Sequence, residues 1–310
     1  MVNPQTDSEW TIHSLNIHGT FFEQWCADLF QSVPGCNVVS TNYPVEFPLQ
    51  SNSLRSKDKE SALDIWVELS NQDEVYAFLI ECKKNNPELA NWIFFPKRGD
   101  NASRKFVSRI ITTDQNIQSS RYSMEQTSPV NFFNEARECR KDYQSKDEKN
   151  KQKPDDRQKT KTANNTISDA SYQISLATQS IWHEETNLAV ELQNRRLTSR
   201  LNYRVKTFIP CIVTTANLYS CSFDPQDVDA SRGEINFDKV NLEKQPFVFY
   251  EYPLPRHLQS PVSDMVDIML KSKKDISVRM DIIIINSLHL QNLLTQPHAI
   301  ENIINTITNT

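Results

Sequence analysis

Six consecutive residues, Val75-Tyr76-Ala77-Phe78-Leu79-Ile80, carry apolar or aromatic side chains on both faces that a strand presents. Such a run needs cover on two sides, so it predicts a central strand in a layered α/β protein. Its neighbours agree. Upstream, Leu63, Ile65, Val67 and Leu69 alternate with Asp64, Trp66 and Glu68, the period of a half-buried strand, and Asn71-Gln72-Asp73 supplies a turn. Earlier still, Phe22, Trp25, Cys26, Leu29 and Phe30 recur at helical spacing over Thr20–Gln31, which Pro34-Gly35 closes. Asn37–Phe47 then reads as extended. The order is helix, strand, strand, strand.

Downstream the pattern is interrupted. Between about residues 96 and 165 regular periodicity dissolves. Arg137–Lys161 holds ten Lys/Arg against six Asp/Glu with almost no apolar residues, which predicts a charged, mobile insertion. Pattern resumes with Ile167, Ala170, Ile174, Ala177 and Ile181, a helix with Ser168 or Asp169 near its opening turn. Phe208–Val213 and Leu218–Phe223 read as strands around Thr214-Thr215-Ala216-Asn217, and Pro210 puts the first at an edge or a bulge. Phe247–Tyr252 and Met280–Ile285 read as further strands, Val262–Leu270 and Ala299–Ile307 as helices. The expected division is residues 1–95 and 166–224 for one α/β core, 96–165 for the insertion, and 225–310 for a C-terminal α/β extension.

Composition removes several classes. No apolar run approaches the roughly 18 residues of a membrane helix, and Met1 to Asp7 lacks the basic and apolar stretches of a signal peptide. Six cysteines without a CxxC pair read as reduced thiols, so a cytoplasmic protein with no membrane partner is expected. Six scattered histidines without HExxH argue against structural zinc. Four glycines leave no room for a P-loop or a GxGxxG turn. The net charge of −5 argues against coating nucleic acid by bulk charge, yet is compatible with a local basic groove.

Chemistry concentrates where the apolar run ends. Glu81 and Lys83 flank Cys82 and point the same way, because strand side chains alternate faces. A short turn pairs this strand with the one bearing Asp64, so hairpin geometry brings Asp64 and Glu81 to one edge of the sheet. Two carboxylates that close repel unless a cation lies between them. Mg²⁺ takes oxygen ligands and keeps several waters, so Asp64, Glu81 and the Cys82 carbonyl can supply the protein's share, with Lys83 beside the bound water. That set suits hydrolysis of a phosphodiester.

The arrangement resembles the PD-(D/E)xK superfamily of restriction-endonuclease-like nucleases. Gly19-Thr20-Phe21-Phe22-Glu23 is similar to the G-x-x-F-E opening of its Mrr-like branch, Leu63-Asp64-Ile65 to its Asp strand, and Glu81-Cys82-Lys83 to its ExK strand. Ser61-Ala62-Leu63 precedes the Asp without the family's Pro. The resemblance covers Gly19–Lys84 by motif and the later helix and strand only by order. It implies a restriction-endonuclease-like mixed β-sheet flanked by helices and Mg²⁺- or Mn²⁺-dependent DNA cleavage, often in defence against foreign DNA. By the same carry-over Asp64 and Glu81 become metal ligands, Lys83 the catalytic lysine and Glu23 an auxiliary acid. A homodimer, with two sites for two strands, and a regulatory partner protein are further expectations. The competing reading is a catalytically inactive nucleic-acid-binding or partner-binding module on the same fold.

Other residues carry two readings. Thr20-Phe21-Phe22-Glu23 is also a capping box, in which Glu23 reaches back to the Thr20 N–H instead of serving a metal site. Lys84, Lys97, Arg98, Arg104 and Lys105 are the candidates for touching DNA phosphates, Lys84 otherwise being a solvated lysine. Gln173 and Gln179 are candidate polar groups of the second helix, more simply solvent-facing. Trp92, Phe94 and Phe95 suit the core better than base stacking.

Overall fold

The chain begins with two helices, α1 (Asp7–His18) and α2 (Thr20–Gln31), and a meander of three antiparallel strands, β1 (Cys36–Val45), β2 (Ser61–Asn71) and β3 (Glu74–Lys83). In this computed structural model the described residues are 7–45, 61–85, 90–96, 104–112, 117–124, 132–139, 166–255, 258 and 278–296. Four strands follow, β4 (Asn91–Pro96), β5 (Arg104–Thr112), β6 (Ile117–Met124) and β7 (Phe132–Cys139), then the 29-residue helix α3 (Thr166–Asn194). The remainder is β8 (Val205–Thr214), β9 (Asn217–Phe223), the two-residue pair β10 (Val228–Asp229) and β11 (Glu234–Ile235), β12 (Val240–Gln245), β13 (Phe247–Pro253), β14 (Val278–Asn286) and α4 (Ser287–Thr295).

Among the described residues twelve strands make one mixed sheet, in the order β1-β2-β3-β8-β5-β14-β13-β7-β4-β9-β12 with β6 on β5. β14 also pairs directly with β8. Two residues join β8 to β9, and three residue steps reach about 11 Å at most. A flat sheet would put β9 five strand spacings away, about 24 Å. The sheet therefore curls back on itself, and α3 runs along its concave side. There Ile167, Ala170, Ile174 and Ile181 share a core with Trp66, Leu79, Trp92, Phe94, Leu218, Tyr250 and Ile284. The convex side packs Cys26, Ala27 and Phe30 of α2 and Leu290 of α4 against Ile65, Val67, Ile80, Cys82, Cys211 and Ile283. Helices cover both faces, so the mixed α/β class is as expected. No helix among the described residues is long and apolar enough to cross a membrane.

Several expectations need correction. The span 96–165, read as pattern-free, contributes β5, β6 and β7, because paired strands can satisfy their backbone with few apolar residues of their own. The bulk of its charged part, 140–165, lies outside the described residues, as do Val262–Leu270 and Ala299–Ile307. Of the phosphate candidates, Lys97 and Arg98 lie outside too, and the backbone of Arg104 and Lys105 pairs with β14 inside the sheet. Residues after 225 do not simply append to the core, since β13 and β14 sit in the middle of the sheet beside β8.

Pro210 is neither at an edge nor at a bulge. It is buried in β8 opposite Leu79. The other side of β8 pairs with β5 through Phe208 and with β14 from Cys211, so Pro210 falls at the changeover, where a missing N–H breaks no ladder bond on that side. At the start of α3, Glu138 of β7 accepts the Ile167 N–H at 2.8 Å and the Thr166 hydroxyl at 3.4 Å. Ser168 and Asp169 lie within the helix. β2 is more than half-buried, because Trp66 packs under α3.

Candidate active site

The hairpin of β2 and β3 pairs Ile65 with Ile80 as its last rung. One step beyond, the Asp64 carboxylate takes over from the ladder. Its Oδ2 accepts the Cys82 N–H at 2.6 Å. Glu81 and Lys83 follow on the concave face, in line with Ala77 and Leu79, and Lys83 Nζ lies 2.6 Å from Glu81 Oε1. The two carboxylates and the lysine anticipated at one sheet edge therefore do gather there.

Burial then sets the electrostatics. The Glu81 side chain is 4% exposed and Lys83 22%. Burial, reinforced by the negative charge of Asp64, pushes the Glu81 carboxyl up to about 7 in spite of Lys83. Burial also raises the Asp64 carboxyl, with the Cys82 N–H and the Lys83 charge pulling the other way. On α2, burial and the Asp64 charge raise Glu23 as well. Burial is the leading cause for all three, and the Asp64 charge adds to it at Glu81 and Glu23. One oxygen, Glu81 Oε2, is buried without a hydrogen-bond partner.

Glu23 reaches this group because it is not a cap. The residue at the head of α2 is Gly19, in the left-handed conformation (φ 82°), and no side chain caps the helix. A Cβ at Gly19 would meet Glu23 Oε1 at 3.7 Å and Lys84 Cβ at 3.9 Å, ordinary contact distances, so it is the left-handed turn that calls for glycine. The capping-box reading is set aside. Cys82 offers only its backbone here: its thiol faces the convex core, where the Cys26 sulfur and burial keep it protonated.

The outlying candidates divide. Lys84 Nζ donates to the Asn16 carbonyl at 2.5 Å and so ties down the end of α1. Trp92 and Phe94 are fully buried core residues and Phe95 is half-buried. Gln179 is fully buried, and Gln173 has its Oε1 buried without a partner, so neither is solvent-facing. A group that sequence reasoning took for a plain turn borders the lysine: Thr215 N–H donates to the Lys83 carbonyl at 3.2 Å. Two threonines ending an apolar strand were the available signal.

The donors fit a hard cation. They are oxygens, one is buried and unpartnered, and a positive charge would relieve three raised carboxyls at once. Among the described residues no three His, Cys, Asp or Glu side chains are gathered to hold a metal ion. A Mg²⁺ site needs only one or two carboxylates, completed by backbone and water. No family model, curated protein or solved structure matches the chain.

Proposed function

We propose that the chain is a metal-dependent endodeoxyribonuclease with a restriction-endonuclease-like core, cutting DNA by hydrolysis. The observation that carries this reading is the buried, unpartnered Glu81 oxygen beside Asp64 and Lys83 at the end of a central strand. Asp64, Glu81 Oε2 and the Cys82 carbonyl would hold Mg²⁺ or Mn²⁺. Such an ion, when bound, lowers the pKa of a coordinated water and offsets charge on the phosphate. Asp64 contributes position as well as charge, since the Cys82 N–H fixes its carboxylate. Lys83, an ammonium on the open rim, orients a water by hydrogen bonding and neutralises charge that grows on the phosphate oxygens. Glu23 adds a third acid from the helix side, its carboxyl raised by burial and by the Asp64 charge.

Supercoiled plasmid incubated with the full chain tests this. Nicked and linear products are expected with Mg²⁺ or Mn²⁺ and none with EDTA. Asp64→Ala and Lys83→Ala should each slow cleavage by about 10³-fold while the protein stays folded. Cleavage by the double variant at the wild-type rate overturns the reading. Salt-sensitive binding of DNA without turnover would favour the inactive binding module instead.

A further inference from the structure

We infer that Thr215 is a positioning residue for Lys83, a role that rests on the nuclease reading. β3 and β8 run parallel and leave the sheet together, with Lys83 paired to Thr214. A strand's last residue lacks the following rung, and local opening is easiest at such ends. Here Thr215 supplies what the ladder no longer does. Its N–H donates to the Lys83 carbonyl at 3.2 Å, and its Oγ1 accepts the Asn85 N–H at 2.9 Å. The two bonds close on either side of Lys84, so three residues are held from both ends. Further along, Asn217 N–H donates to the Ala90 carbonyl at 2.6 Å, which keeps the two exits side by side.

Thr215 is itself held from behind. The Thr214 hydroxyl accepts the Ala216 N–H at 3.1 Å, and Asn286 Nδ2 of β14 donates to the Ala216 carbonyl at 2.5 Å. Asn286 Oδ1 accepts the Leu288 N–H at 3.0 Å and so caps α4. Thr214 and Asn286 are fully buried, whereas Thr215 is exposed. An exposed threonine adds little to the core, but its grip decides where the root of the Lys83 side chain sits. A long side chain magnifies any shift at its root, and displacement by about 1 Å can cost about 100-fold in rate.

Steady-state cleavage by wild type, Thr215→Val and Thr215→Ser over a range of DNA concentrations provides the test, with thermal midpoints measured alongside. The valine keeps the shape and the N–H but loses the acceptor. It should lower kcat about 10-fold or more with KM for DNA and the midpoint unchanged, and the serine should restore the rate. Thr215→Ala carries the same reading if the valine variant does not fold. Valine at the wild-type rate, a loss confined to KM, or failure of serine to rescue overturns the inference. A wild-type chain that does not cleave overturns the nuclease reading itself, and this role with it, in a lane separate from the variants.

Discussion

Two lysines on adjacent strands meet carboxylates on the same face of the sheet, and they meet them differently. Lys206, at the start of β8, is 5% exposed and lies between Glu68 Oε1 at 2.6 Å and Glu185 Oε2 at 2.7 Å. Rings of Trp66, Tyr203 and Phe208 surround its ammonium at 5.2, 5.5 and 5.6 Å. Lys83 lies near the opposite end of the paired strands, eight rungs or about 26 Å away, with one carboxylate whose second oxygen is unpartnered. The first cluster also sets two carboxylates against one lysine, but it is ringed by aromatics, leaves neither glutamate with a buried oxygen lacking a partner, and ties α3 to the sheet. The second keeps one buried oxygen, Glu81 Oε2, without a partner. A buried carboxylate oxygen without a partner costs stability, and of the two clusters the second alone carries one.

The sharpest way to break the comparison is to exchange the losses. Lys83→Met should cut DNA cleavage about 10³-fold, about 4 kcal/mol of barrier, with little change in urea midpoint. Lys206→Met should leave kcat alone and lower unfolding stability by about 3 kcal/mol. That is the low end for breaking a buried pair, because Glu68 and Glu185 keep 23% and 18% of their side chains in water. Equal stability losses for the two variants would erase the distinction.

The next effect is on pH. Glu81 has its carboxyl raised to about 7 from an ordinary value of 4.5. Its protonated form is therefore the one the fold favours. This contribution is whole below pH 4.5 and is lost as pH rises through 7, about 3 kcal/mol in all at 1.36 kcal/mol per pH unit. In EDTA, the thermal midpoint should fall between pH 5 and 8, and Glu81→Gln should flatten that slope. Unchanged slope in the glutamine variant would mean that Glu81 is not the strained acid.

The smallest effect is direct stabilisation by metal. At pH 7.5, Mg²⁺ at about five times its dissociation constant should add about 1 kcal/mol of stability to the wild type and nothing to Asp64→Asn. The Lys206→Met variant should gain as much as wild type. If it does not, the two clusters are coupled across the sheet.

Much of the site was legible in sequence because it lies on two adjacent strands joined by a tight turn. Alternation placed Glu81 and Lys83 together, and the turn at Gln72 and Asp73 brought Asp64 to them. The helix Thr20–Gln31 was readable to its ends, since its apolar spacing is regular and Pro34-Gly35 follows. What failed was local reading of groups with distant partners. Thr20-Phe21-Phe22-Glu23 has the letters of a capping box, but Gly19 opens the helix without a side-chain cap and the Glu23 carboxyl feels the charge of Asp64. Asp169 does lie in the first turn of α3, but the N–H of Ile167 is taken by Glu138 on strand β7. Helix α1 escaped notice because its few apolar residues, Trp10, Ile12 and Leu15 among them, fall on no single helical face, and Trp10 and Ile12 are exposed.

From sequence alone came a central strand covered on both faces and the charged triplet that ends it. Both follow from side-chain period, which depends only on spacing along the chain. Tertiary structure alone decided that β14 lies beside β8, that Pro210 falls where β8 changes partner, and that Thr215 grips the exit of Lys83. Period tells which face a residue shows; it is silent on which distant strand lies across the next 4.8 Å, because that choice is set by pairing and packing over the whole sheet.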